Sequence, residues 1–142
     1  MSAPPSAHRA LVDTSAYYAL TDRGENTHQR ARQIQQYLIA NRFRLFTTTF
    51  ILAETHALLL TRLGYRIALR VLTEIDGSRT TIIRPTIADE TAARALLARY
   101  DDKAFSLTDA LSFVVMERLS IAQAFTFDRN FTQYGFAPLN PD

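Results

Sequence analysis

The sequence predicts a three-layer α/β/α domain with a mainly parallel central sheet, and three observations carry that expectation. Short apolar runs at residues 10–12, 44–47, 80–83 and 122–127 alternate with longer segments of helical periodicity, the pattern of a parallel sheet covered by helices. The runs themselves are apolar on both sides instead of alternating, as strands buried on both faces are. Finally, 142 residues with 47% apolar content suit one domain with a substantial core and leave no room for a second.

In chain order, residues 1–8 (MSAPPSAH) read as a flexible tail ahead of a single domain spanning 9–142. The tail lacks the basic start and apolar run of a secretory leader, and no stretch approaches a membrane span. The run Ala10-Leu11-Val12 ends at Asp13, after which Thr14 and Ser15 open a helical pattern over 16–20 that breaks at Arg23-Gly24-Glu25. Asn26 is placed to cap the next helix, 28–40, whose inner face is Ala31, Ile34, Tyr37 and Leu38. Residues 44–47 (RLFT) form a short strand leading into a helix over 50–63. A further helix over 65–76 buries Ala68, Val71, Leu72 and Ile75 and ends at Gly77. The β-branched strand 80–83 is closed by Pro85. Thr86-x-x-Asp89 is a capping box for a helix reaching Tyr100, and Ser106-x-x-Asp109 is another for a helix over 107–119. That helix is apolar on nearly every side, so it packs on more than one face. After a turn at Ser120 the strand 122–127 ends at Asp128, and residues 136–139 supply a last edge strand.

Composition narrows the chemistry. There is no cysteine, so neither a disulfide framework nor a thiolate metal site is available, and a cytoplasmic location is expected. Net charge is only +2, yet every basic residue except Lys103 is arginine. Arginine forks match phosphate geometry, although genomic base content alone also enriches arginine. Arg66 and Arg70 lie one helical turn apart, and Arg62 extends the row if the helix runs on through Gly64. That row is either a stripe for a phosphate backbone or a solvated helix face.

Four acids stand out from the 14. Asp13 and Asp128 each follow a strand directly, where open α/β sheets place their ligands. Asp109 lies in an otherwise apolar helix, and Glu54 falls between Ile51 and Leu58 at helical spacing, among apolar neighbours. Each has a structural reading: Asp13, Asp109 and Asp128 can cap helices, and Glu54 can reach out to an arginine. If the four converge, two charges about 4 Å apart repel by roughly 4 kcal/mol at an effective dielectric near 20, so a site holding all of them needs protons or a cation. Carboxylate oxygens without thiolate select hard ions, Mg²⁺ or Mn²⁺, which serve hydrolysis of phosphodiesters without a histidine base. The histidines stay outside this scheme. His56 lies about 200° around the helix from Glu54, and His8 and His28 read as peripheral.

The segments LVDTSAYYALTDRGENTHQRA, FTTTFILAETHALLL, FSLTDALSFVVMERL and AFTFDRNF resemble, in order and spacing, the motifs of PIN-domain ribonucleases, most closely the VapC-type toxins of toxin–antitoxin pairs. The likeness runs from about residue 10 to residue 139. It implies a parallel five-stranded sheet between helices, with Asp13, Glu54, Asp109 and Asp128 as catalytic acids and Asp13, Asp109 and Asp128 as metal ligands. It also implies Mg²⁺- or Mn²⁺-dependent cleavage of RNA, homodimerisation and inhibition by a small antitoxin protein. Thr14, Ser15, Thr108 and Thr126 match hydroxyl-bearing positions of the motifs, with a ligand-orienting or water-holding role expected for one or two of them. Asn130, which stands where some relatives carry a further acid, is expected to support the ligands in the same way as those hydroxyls.

Two other doubly wound enzymes fit less well. A response-regulator receiver would want an acidic pair at Asp13 and a lysine after the last strand, and a haloacid-dehalogenase-type phosphatase would want an acid where Ser15 stands. A PIN-like module that binds RNA without cutting it shares every feature above.

Overall fold

The structure, a computed structural model, describes residues 8–142. Of the expected tail, residues 1–7 lie outside the described residues, while the ring of His8 stands edge-on to Phe43 with centroids 5.3 Å apart. Five strands, β1 (Arg9–Val12), β2 (Arg44–Thr48), β3 (Thr81–Ile83), β4 (Gln123–Phe125) and β5 (Ala137–Pro138), pair in the order β3-β2-β1-β4-β5, every pair parallel. Seven helices connect them: α1 (Thr14–Thr21), α2 (His28–Ala40), α3 (Thr49–Leu63), α4 (Tyr65–Asp76), α5 (Ile87–Arg99), α6 (Leu107–Arg118) and α7 (Arg129–Tyr134). The α/β class, the parallel sheet and its five strands are all as expected.

Ala10, Leu11 and Ala124 at the centre of the sheet are wholly buried, which is why β1 and β4 read as unbroken apolar runs. Val12, Leu45 and Phe125 share one face of the sheet, and with α1, α2 and α4 they surround a common groove. Arg9 and Phe46 belong to the opposite face. There the Arg9 guanidinium lies 4.8 Å from the Phe46 ring and donates to the carbonyl of Leu119, just past α6, at 2.7 Å. Helix α5 packs on α6, whose Ala110, Leu111, Phe113, Val115 and Met116 are fully buried. The helix expected to be apolar all round therefore lies sandwiched, and Phe113 anchors an aromatic cluster with Phe105, Phe131 and Tyr134.

Both expected capping boxes form, Thr86 with Asp89 at α5 and Ser106 with Asp109 at α6. Two local expectations are corrected. Thr27, not Asn26, precedes α2, and no side chain caps it; the helix start is held by His28, whose Nδ1 meets the Ala19 carbonyl at 2.7 Å. His28 is thus half-buried and structural, not a peripheral residue. At Gly64 the chain adopts φ +94°, a left-handed conformation that strains any residue with a Cβ, so α3 ends and α4 begins anew. Arg62 consequently sits on a different helix from Arg66 and Arg70, and the three do not form one continuous row. Among the described residues, no helix is long and apolar enough to cross a membrane.

Candidate active site

The strand order places the carboxyl ends of β1 and β4 at a topological switch point. From β1 the chain winds outward through β2 to β3, then crosses back to place β4 on the other side of β1. The crevice beyond two such neighbouring strand ends is where doubly wound sheets hold ligands. Val12 pairs with Phe125, so the next residues, Asp13 and Thr126, stand side by side, and the Asp13 N–H donates to the Phe125 carbonyl at 3.1 Å.

Asp13 precedes α1 but its carboxylate makes no capping bond. It turns toward β4 instead, and its Oδ2 accepts from Ser15 Oγ at 2.9 Å and from Thr126 Oγ1 at 3.0 Å. Those hydroxyls are themselves held, Ser15 Oγ by the Phe127 N–H at 2.9 Å and Thr126 Oγ1 by the Asp128 N–H at 3.0 Å. The two hydroxyls also lie 3.2 Å apart, within hydrogen-bond distance of each other, so Ser15, Thr126 and Asp13 Oδ2 form one small network held by the backbone. Asp109 is built the same way. Its Oδ2 accepts from the Ser106 N–H at 3.1 Å, completing the capping box, and from Asn130 Nδ2 at 2.9 Å. Asp128 caps α7, its Oδ1 accepting the Asn130 N–H at 2.9 Å. In each acid one oxygen is held by hydroxyl, amide or backbone donors of the protein, and the Thr14 backbone N–H adds to the hold on Asp13.

Burial drives the electrostatics. Desolvation lifts the Asp13 carboxyl to about 6 against the pull of the Ser15 and Thr126 hydroxyls, with the nearby Asp109 charge adding to the rise. Asp109 is likewise raised, first by burial and further by Asp128, while its bonds from Ser106 and Asn130 oppose the shift. Asp13, Asp109 and Asp128 thus form a string of mutually repelling neighbours, and among the described residues none is in a salt bridge. No three Asp, Glu or His side chains among the described residues stand close enough to make a complete cage of protein ligands. The donor set fits a hard divalent ion all the same: it offers only oxygen, and Mg²⁺ keeps several waters, needing one or two carboxylates alongside substrate phosphate.

The remaining sequence-selected residues are placed differently. Glu54 is exposed on α3, because the buried stripe of that helix is Ile51, Leu52, Thr55 and Leu59 and Glu54 lies one position off it. The expectation that it sits among apolar neighbours is corrected on this point. Thr14 faces α3, donating to the Ile51 carbonyl at 3.4 Å and accepting from Thr55 at 3.2 Å, so its hydroxyl serves the α1–α3 contact and not the acids. Thr108 is half-buried on the first turn of α6, and its carbonyl accepts from Ser112. Arg62 lies over the Tyr18 ring at 5.2 Å, and Arg70 pairs with Glu74 at 3.6 Å.

Away from the acids, a groove of about 530 Å³ lies between α1, α2 and α4. Its floor includes Leu38, Leu45 and Phe125 and its rim carries Arg23, Arg32 and Arg70. The phenol oxygen of Tyr17, which also lines it, is buried near the Thr47 hydroxyl, with no hydrogen bond of ordinary geometry among the described residues. The periodicity of α2 assigned Leu38 to the core but could not show that α2 and α4 stay apart and leave the groove open.

The PIN-domain sequence profile matches residues 10–137. The chain belongs to the PIN-domain family. This PIN domain is 33% identical over 133 residues to the 23S rRNA-specific endonuclease VapC20 of Mycobacterium tuberculosis, covering 93% of this chain and 98% of that one. It is 26% identical over 119 residues to ribonuclease VapC26 of the same organism, covering 84% and 86% of the two chains. The crystal structure of VapC20, described as a sarcin–ricin loop cleaving toxin, superposes with a TM-score of 0.85 at 31% identity over 93% of this chain and 99% of that one. The FitAcB structure from Neisseria gonorrhoeae, at 18% identity and a TM-score of 0.63, covers 93% of this chain and 97% of that one and shares the fold. The likeness to VapC-type proteins read from the motifs is borne out.

Proposed function

We propose that this PIN domain is a divalent-metal-dependent endoribonuclease that hydrolyses RNA phosphodiester bonds in the cytoplasm as the toxin of a toxin–antitoxin pair. The supporting observation is the string of carboxylates at the switch point, each with one oxygen restrained by the protein, in a chain whose relatives are RNA endonucleases. Asp13, Asp109 and Asp128 would hold Mg²⁺ or Mn²⁺, and Glu54, exposed on α3, is assigned to the catalytic acids from the motif it occupies. Such an ion, when bound, lowers the pKa of an attacking water and offsets charge developing on the phosphate. The chain's own contribution is orientation. Ser15 and Thr126 aim the Asp13 carboxylate, the α6 capping box aims Asp109, and the α7 cap aims Asp128. Arg66 and Arg70 on α4, with Arg62 across the helix break, are assigned to the RNA backbone.

With Mg²⁺ or Mn²⁺ the purified protein should cut RNA, stop on addition of EDTA and resume when the ion is restored. Intact RNA in both metals, across structured and single-stranded substrates including ribosomal RNA, would refute the assignment.

For partners, we propose a homodimer and a small antitoxin. Leu60, Tyr65 and Leu69 leave 44%, 66% and 44% of their surface exposed along α3 and α4, an apolar face for a second copy. The groove suits the antitoxin, because an apolar floor under an arginine rim accepts a segment combining apolar and acidic side chains. Inhibition by the proposed antitoxin should weaken at least tenfold in the double variant Arg32→Glu, Ile39→Asp. Inhibition unchanged from the parent would remove the groove from the proposal.

A further inference from the structure

Asn130 lies on the first turn of α7, and its two donors go to two different carboxylates. The backbone N–H donates to Asp128 Oδ1 at 2.9 Å, a capping bond that any residue but proline would keep. The side-chain Nδ2 donates to Asp109 Oδ2 at 2.9 Å, with the Ala104 carbonyl at 3.5 Å. This second bond requires a neutral donor of this length at this position. The Asp109 oxygen that receives it also takes the Ser106 N–H at 3.1 Å, so two donors arriving from α6 and α7 pin Oδ2 and thereby orient Oδ1. Carboxylate torsions are broad and roughly two-fold, and without such restraint the two oxygens exchange freely.

Building on the metal-dependent reading above, we infer that Asn130 is a positioning residue that joins α7 to α6 and presents Asp109 Oδ1 to the divalent ion without adding a negative charge. A ligand already held in its binding orientation loses less freedom when the ion arrives, and partners that orient metal ligands typically change affinity by about 10- to 100-fold. An aspartate at 130 would have nearly the same shape but would set a carboxylate against Asp109 Oδ2 where a donor now stands.

The test measures Mn²⁺ binding by calorimetry and thermal unfolding in EDTA for the parent, Asn130→Ala, Asn130→Asp and Asp109→Asn. Asn130→Ala should bind Mn²⁺ about tenfold more weakly yet melt in EDTA within a couple of degrees of the parent, since the α7 cap uses its backbone. Asn130→Asp should melt lower than the parent in EDTA and gain more from Mn²⁺, because the ion relieves the added repulsion. Parent-like Mn²⁺ affinity in Asn130→Ala, with binding lost in Asp109→Asn, would overturn the role of Asn130 and leave the metal site standing. Parent-like affinity in Asp109→Asn as well would overturn the metal reading itself. Unfolding of both Asn130 variants in EDTA would make the residue a structural one and overturn the proposal too.

Discussion

Asp13→Asn and Asp109→Asn are each expected to lower Mg²⁺-dependent RNA cleavage by about a thousandfold or more, with the fold intact. An ion that stabilises developing charge by several kcal/mol acts only where its ligands are anionic, and each 1.36 kcal/mol is a factor of ten. Folding survives because the asparagine carbonyl still accepts the bonds now made to Oδ2. For Asp13 the same substitution should stabilise the metal-free protein. Its carboxyl titrates at about 6 in the fold against an ordinary value of 3.8, so the folded chain retains a proton that the unfolded chain has released. That difference favours folding below the ordinary value and is lost as pH rises through 3.8 to about 6. At neutral pH, ionising the buried group costs roughly 3 kcal/mol, and asparagine removes the charge. Thermal unfolding in EDTA should therefore show Asp13→Asn melting several degrees above the parent at pH 7.5 and much closer to it at pH 4. Cleavage at limiting metal should fall below about pH 6, where protons compete for Asp13. A cleaving Asp13→Asn variant, or one melting lower than the parent at pH 7.5, would show that the buried carboxylate is not the strained ligand proposed.

The largest loss of stability among the polar contacts should come from Arg118→Ala. Asp89 is 3% exposed and receives Arg118 Nε at 2.9 Å and Nη2 at 2.8 Å, a bidentate pair between α5 and the end of α6. The same carboxylate closes the capping box of α5 through the Thr86 N–H. Removing the guanidinium leaves a buried charge without its partner, a change that costs 3–5 kcal/mol in deep interiors. Arg118 itself is 42% exposed, so water recovers part of that, and about 2 kcal/mol is expected here. The Arg118 bonds, ahead of burial, hold the Asp89 carboxyl below its ordinary value. The pair's contribution is therefore complete above the ordinary carboxylate range and disappears as pH falls through the lowered value. Urea unfolding should show the gap between parent and Arg118→Ala at neutral pH narrowing in strong acid. Equal midpoints at pH 7 would mean the pair adds nothing net. Asp89→Ala loses the cap as well, and the double variant should fall short of the sum of the two.

How much of this was legible in the chain depends on distance along it. Helix boundaries, both capping boxes and the strand runs follow from side chains within four or five residues of one another, and those expectations held to within two residues. The failures are also local in origin. The extension of the arginine row through Arg62 fails at Gly64, which separates the helices expected over 50–63 and 65–76 and uses the left-handed freedom that only glycine has cheaply. Glu54 was assigned apolar neighbours from its spacing to Ile51 and Leu58, but Thr55, Ile51 and Leu59 define the buried stripe and turn Glu54 outward.

By itself the sequence determined the class of the domain, the position of two acids at strand ends and a third at a helix start, and the family whose motifs they match. Each is a matter of short-range pattern and order. Only the tertiary structure decided which oxygen of each acid the neighbouring donors hold, that the Thr14 hydroxyl serves packing while Ser15, Thr126 and Asn130 serve the carboxylates, and that Asp89 meets Arg118. The Thr126–Asp13, Asn130–Asp109 and Arg118–Asp89 bonds bridge 113, 21 and 29 residues. The direction of a side chain across such separations is set by strand register and helix packing, which no local pattern encodes.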